Sequence, residues 1–125
     1  MAYLPVAANG TKWRNCGNNI TSWIKSNVMK AVFIVFNQAN TERVEYMFDK
    51  LSIRGFTWWS QVNGRGSVDG EPRMGTHTWP EMNSATMAVV EDDKVDEILA
   101  IVRKIDEINT EVGIRAFVWD ILKTA

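Results

Sequence analysis

Three arginines, one histidine and a pair of glycines carry most of the chemistry in this sequence. All but Arg115 lie in one stretch, VNGRGSVDGEPRMGTHTWPEMNSATMAVV, residues 62–90. Gly64, Arg65 and Gly66 directly follow an apolar run. Glycines in that position can turn backbone N–H groups into a concave arc that holds an anion. A hairpin or strand-end turn fits the same residues, because the Lys-Ser/Thr sequel of a P-loop and the full dinucleotide fingerprint are both missing. Arg65, Arg73 and Arg115 add planar donor forks suited to phosphate or carboxylate, and Arg115 opens the last apolar run just after Gly113. An edge or intersubunit salt bridge is the competing use for Arg115.

His77 is the only histidine and sits in GTHTWP, with Glu71 and Glu81 nearby in sequence. One histidine cannot build a transition-metal site within a monomer. Copies around a symmetry axis, or carboxylates from a neighbour, could complete one. A structural or solvent-exposed histidine is the plain alternative, and Trp79 beside Pro80 reads as a packing anchor. Catalysis finds no support: the acids gather at helix ends, and Cys16 is alone and far from His77 in sequence. The chain is expected not to be an enzyme.

These residues need elements to position them. Ala31 to Phe36 is continuously apolar and rich in β-formers, as a strand covered on both faces should be. Asn40 can cap the helix that follows, in which Val44, Met47, Phe48 and Leu51 form one stripe, and Gly55 marks its end. Phe56 to Val62 reads as a strand whose Trp58 and Trp59 point to opposite faces. Ser84 to Val90 is the next strand. Asp92 or Asp93 opens a helix with Val95, Ile98, Leu99, Val102 and Ile105 inward and acids toward its N-terminus, the arrangement its dipole favours. Ile114 to Ile121 makes the last strand.

The order β-α-β-β-α-β predicts an α+β, ferredoxin-like sandwich: an antiparallel sheet, two helices on one face, and a long loop between strands 2 and 3. That loop, Gly66 to Asn83, is eighteen residues long. Connections beyond about 12–15 residues are uncommon unless they are functional or disordered. The strands are apolar on both sides, so the bare sheet face is expected to be buried by other subunits.

Residues 29–125 form the expected domain, and residues 1–28 an N-terminal extension, disordered or derived from expression or start-site assignment. The extension holds three basic side chains and no acid, against eleven basic and fifteen acidic from Met29 onward. An acidic body disfavours a nucleic-acid partner. No apolar run approaches the roughly 18 residues of a membrane span, and one cysteine gives no disulfide framework, so a reducing cytoplasm is the expected location.

The quoted residues resemble the nitrogen-regulatory P-II superfamily. VVEDDKVDEIL, Val89 to Leu99, is similar to that family's strand-to-helix junction, and MKAVFIVF, LSIRGFTWWSQVNGRG and IRAFVWDI fall in the corresponding places. The resemblance covers Met29 to about Leu122. It implies a compact homotrimer with sheets facing inward, an adenine nucleotide bound between subunits, and a T-loop over residues 66–83 that contacts a protein target. Gly64 and Gly66 match the Gly-x-Gly at the T-loop base, and Arg115 takes the place of a phosphate-contacting lysine.

Departures are equally visible. Ser67 stands where typical members carry a basic residue, no tyrosine lies between Gly66 and Asn83, and INTEVGIR lacks the family's Thr-Gly and Gly-Asp-Gly elements. The expected function is a non-enzymatic, trimeric signalling protein that senses an adenine nucleotide or a small anion, with Gly64, Arg65, Gly66, Arg73 and Arg115 as ligand-binding residues. Alternatives are a metal-binding or metal-tolerance trimer using His77, similar to the divalent-cation tolerance proteins, and a structural or interaction protein without a small ligand.

Overall fold

The computed structural model describes residues 28–78 and 80–125. The expectations for the N-terminal extension, Cys16 and Trp79 fall outside the described residues. Strands β1 (Met29–Asn37), β2 (Phe56–Val62), β3 (Asn83–Glu91) and β4 (Ile114–Asp120) form one sheet in the order β2-β3-β1-β4. Every pairing is antiparallel. Helices α1 (Thr41–Lys50) and α2 (Asp92–Ile108) complete the βαββαβ chain. This is the ferredoxin-like arrangement that the element order predicts. The structure lengthens β1 and β3 at both ends and ends β4 one residue earlier.

Strand alternation divides the molecule into two unlike halves. Val32, Ile34 and Phe36 of β1 point toward the helices, where they meet Val44, Met47 and Phe48 of α1 and Ile98, Val102 and Ile105 of α2. Trp58 joins this core, edge-on to Phe36 at 5.3 Å between ring centroids. Phe33 lies on the opposite face with Trp59 at 6.3 Å and Trp119 at 6.4 Å. Trp58 and Trp59 thus separate as strand periodicity requires. On the open face Trp59, Phe117 and Trp119 remain 42 %, 55 % and 45 % exposed. At roughly 25 cal/mol per Å², covering what remains of each ring is worth about 2 kcal/mol.

Buried polar groups in the sheet are matched to partners. The β2–β3 register shifts between Trp59 and Val62. The Ser60 carbonyl in that gap accepts from the Ser84 hydroxyl (2.7 Å) and from Gln38 Nε2 (3.1 Å), while Thr86 donates to the Thr57 carbonyl (2.9 Å). An unpaired hydroxyl at these depths would cost about 1–3 kcal/mol.

Asn40 departs from expectation. It stands just before α1, but its side chain makes no cap bond to the helix backbone. It accepts from Arg43 Nη1 at 3.2 Å and donates to the Gly113 carbonyl at 3.3 Å. A three-residue 3-10 turn, Gln38–Asn40, leads into the helix instead, capped by Asn37, whose side chain accepts from the Ala39 N–H at 2.9 Å. Helix α1 stops at Lys50 rather than nearer Gly55, and Ser52 takes a left-handed φ of 56° there.

Among the described residues no helix is long and apolar enough to cross a membrane.

A candidate ligand cleft at the base of the long loop

The eighteen residues from Gly66 to Asn83 do not hang free at their base. Gly64 and Arg73 pair as an isolated antiparallel bridge: the Gly64 N–H donates to the Arg73 carbonyl at 2.9 Å, and the Arg73 N–H returns the bond at 2.6 Å. The connection is pinched there into two lobes. The first, residues 65–72, turns through a Gly70 N–H to Ser67 carbonyl bond of 3.2 Å. The second, residues 74–82, is drawn closed by the Gly75 N–H donating to the Glu81 carbonyl at 3.2 Å.

Arg73 fixes the pinch in place. Its side chain is only 13 % exposed and lies 3.5 Å from the Glu81 carboxylate through Nε. Nη1 donates to Asn83 Oδ1 (3.2 Å) and Nη2 to the Glu111 carbonyl (2.9 Å). The guanidinium thereby joins the loop, the start of β3 and the α2–β4 turn, a use of the arginine fork that lysine could not copy. Gly113 makes room for it. Its φ is +82°, and a Cβ there would meet Arg73 Nη1 at 3.2 Å and Nη2 at 3.4 Å, so both backbone and neighbour favour glycine.

Three asparagines finish the junction, each buried at a strand or turn end. Asn37 donates from Nδ2 to Glu81 Oε2 at 2.8 Å, while its N–H and the Asn40 side chain converge on the Gly113 carbonyl at 3.2 and 3.3 Å. Asn83 receives Arg73. Sequence reasoning missed Asn37, Asn83 and Glu81 here; the available signal was an asparagine at each strand-to-loop border.

Beside this junction lies a cavity of about 710 Å³, walled by the loop base, the α2–β4 turn and the open-face side chains Val35 and Phe117. That volume falls in the usual range for small-molecule sites, about 300–1,000 Å³. Gly64, Arg65, Gly66, Arg73 and Arg115 all line it. Residues from distant parts of the sequence are therefore brought to one cleft. His77 is not among the lining residues; it is exposed on the second lobe. Among the described residues no group of three or more His, Cys, Asp or Glu is arranged to hold a metal ion.

The cleft's electrostatics are nearly balanced. Asp69, Glu71, Glu81 and Glu111 face three arginines. Arg73 is committed to Glu81, and Arg115 makes an ion pair with Asp106 of α2 at 3.1 Å while also donating to the Ile114 carbonyl at 2.8 Å. That pair is the salt-bridge alternative for Arg115, formed within one chain. Arg65 is exposed and has no partner among the described residues.

Comparison with known proteins agrees with the fold. The chain superposes on CPII, a nitrogen regulatory PII-like protein from Thiomonas intermedia K12 solved bound to ADP and bicarbonate, with a TM-score of 0.62 and 21 % identity over 75 % of this chain and 86 % of that one. A Bacillus subtilis GlnK–ATP complex gives 0.55 and 23 % over 75 % and 83 %. A putative PII-like signaling protein from Thermus thermophilus gives 0.53 and 20 % over 75 % and 87 %. No curated protein matches the sequence. The family model for nitrogen regulatory protein P-II matches residues 29–125, the whole of the βαββαβ unit. With the fold, the loop between β2 and β3 and that match in agreement, the chain belongs to the nitrogen regulatory P-II family of signalling proteins.

Proposed function

We propose that this protein is a non-enzymatic regulator that assembles as a homotrimer, senses an adenine nucleotide or a small anion in the cleft between Gly64 and Arg115, and acts on a protein partner through residues 66–83. The observation that carries the reading is the cleft itself, about 710 Å³ at the root of the long loop. A ligand seated there touches both the loop base and the α2–β4 turn, so its binding free energy can bias the loop's conformation. The similar proteins solved with ADP and bicarbonate, or with ATP, favour that class of ligand. Family membership favours regulation over catalysis.

The exposed aromatic face supports assembly. Three large rings left about half in water form the kind of apolar patch that another subunit covers. A cytoplasmic location goes with the ligand class.

The test is calorimetry on the full chain with ATP, ADP, AMP and bicarbonate in turn, beside light scattering for mass. Binding of at least one of them, weakened in Arg115→Ala and Arg65→Ala, and a mass near three times 14.2 kDa are expected. Silence toward all four sinks the ligand assignment. A monomeric mass sinks the assembly.

A further inference from the structure

Arg115 is the cation best placed to serve an anion in the cleft, yet it is already occupied. Arg73 is pinned beneath the loop with four protein partners. Arg65 is exposed and untethered among the described residues. Arg115 sits on β4, lining the cleft, with its side chain 60 % exposed. Its Nη1 is held at 3.1 Å by Asp106, a residue of the last turns of α2 that does not itself line the cleft.

The pair has an unbalanced interior. Asp106 Oδ2 takes the guanidinium, but Asp106 Oδ1 is buried and has no hydrogen-bond partner among the described residues. A carboxylate with one oxygen dry and unpaired loses much of what an ion pair gains. Parting the two leaves the Asp106 carboxylate with neither oxygen paired, so the contact opens only at a cost.

We infer that Asp106 is an affinity-setting residue of the cleft: its carboxylate competes with an incoming anion for the Arg115 guanidinium and neutralises that guanidinium in the ligand-free state. This inference rests on the cleft reading above. Binding of a phosphate or a carboxylate-like anion then exchanges one anionic partner for another. The cost of parting Arg115 from Asp106 is subtracted from the ligand's affinity. A neutral ligand has no use for the guanidinium and is indifferent to Asp106.

The experiment is calorimetry with ADP and, as a neutral control, adenosine on wild type, Asp106→Asn, Asp106→Ala, Arg115→Ala and the Asp106→Asn/Arg115→Ala double variant. Thermal unfolding of each variant serves as the fold control. Because exposed ion pairs are screened, the expected gain is modest, about three- to fivefold tighter ADP binding in Asp106→Asn and at least as much in Asp106→Ala. Adenosine affinity should not move, and the gain should vanish when Arg115 is absent. ADP binding that is unchanged or weaker in both Asp106 variants overturns the inference and leaves the cleft reading standing. So does an equal gain in the Arg115→Ala background. Failure of wild type and every variant to bind ADP overturns the inference, and the cleft reading falls with it only if ATP, AMP and bicarbonate are silent as well.

Discussion

Replacing Arg73 with alanine isolates the contact that holds the long loop to the body. Three side-chain interactions disappear. Asn83 is 4 % exposed and its acceptor loses its donor outright, while the Glu111 carbonyl, on an exposed residue, is repaid by water and the Glu81 carboxylate is 63 % exposed. The unsatisfied Asn83 oxygen and the lost charged donor together weaken the junction by about 2 kcal/mol, the central range for stranding a buried acceptor. That loss is local, because the guanidinium's partners all lie at the loop base and the α2–β4 turn, outside the core of α1, α2 and the sheet. Native-state hydrogen exchange at the amides of positions 64 and 73, the two that form the bridge, reads it directly. A weakening of that size raises their exchange roughly 30-fold, since each 1.4 kcal/mol is tenfold. Amides in the centre of β1 should hardly change. Arg73→Lys should recover less than half, because an ammonium cannot reach Asn83 and Glu111 with a fixed fork. Exchange within about threefold of wild type at both amides would mean the backbone bridge holds the loop unaided, and the pinning argument would be wrong.

Other consequences can be checked with simpler measurements. Gly113→Ala must place a Cβ at φ +82° against Arg73, and chemical denaturation should show a loss of about 1–3 kcal/mol; a loss no larger than that of an exposed-loop alanine would remove the steric argument. On the proposed assembly, Trp119→Glu puts a charge on the open face, so light scattering should report monomers while far-UV circular dichroism keeps its wild-type shape. Persistence of the trimer would exclude that face as the interface. Lys30, near the β1 start, bonds to Asp120 and lies 3.9 Å from Asp92. The hydrogen bond to Asp120 foremost, aided by both carboxylate charges and opposed by partial burial, raises its pKa above 10.5. A raised folded-state pKa gives stability that is complete below the unfolded value and is lost as pH rises through the folded one. The urea-midpoint difference between wild type and Asp120→Asn should therefore be present at neutral pH and shrink above 10.5. A difference that grows with pH contradicts the assignment.

The fold was legible because its signals are local and periodic. Within the strand Phe56–Val62 the adjacent Trp58 and Trp59 announced a sheet with two apolar faces before any pairing was known. The acids of Asp92 and Asp93 marked the start of α2. The cleft was legible in membership but not in role. Gly64, Gly66 and Arg115 were expected at one place, and they share a cavity. That Arg73 would bind protein rather than wait for a ligand depends on a bridge back to Gly64, in a stretch with no periodicity to read. The Asp106–Arg115 pair has the same cause: a helix end and a strand start meet only after the α2–β4 turn has folded. Asn40 looked like a helix cap because its position suits one, and tertiary demand at the Gly113 carbonyl drew its side chain elsewhere.

The pinched loop has a bearing on how such a protein can change. Because residues 65–72 are closed by one bridge and 74–82 by a separate bond, each lobe has its own short circuit of chain. The entropy of closing a loop grows only slowly with length, about 0.6 kcal/mol for each doubling. Residues could be added to or exchanged at the tip of the second lobe, between Gly75 and Glu81 where His77 is exposed, without reopening the bridge or disturbing the wall of the cleft. The tip is then a replaceable cassette on a constant socket, and on the proposed function a new partner can be accommodated while the response to ligand is left as it was.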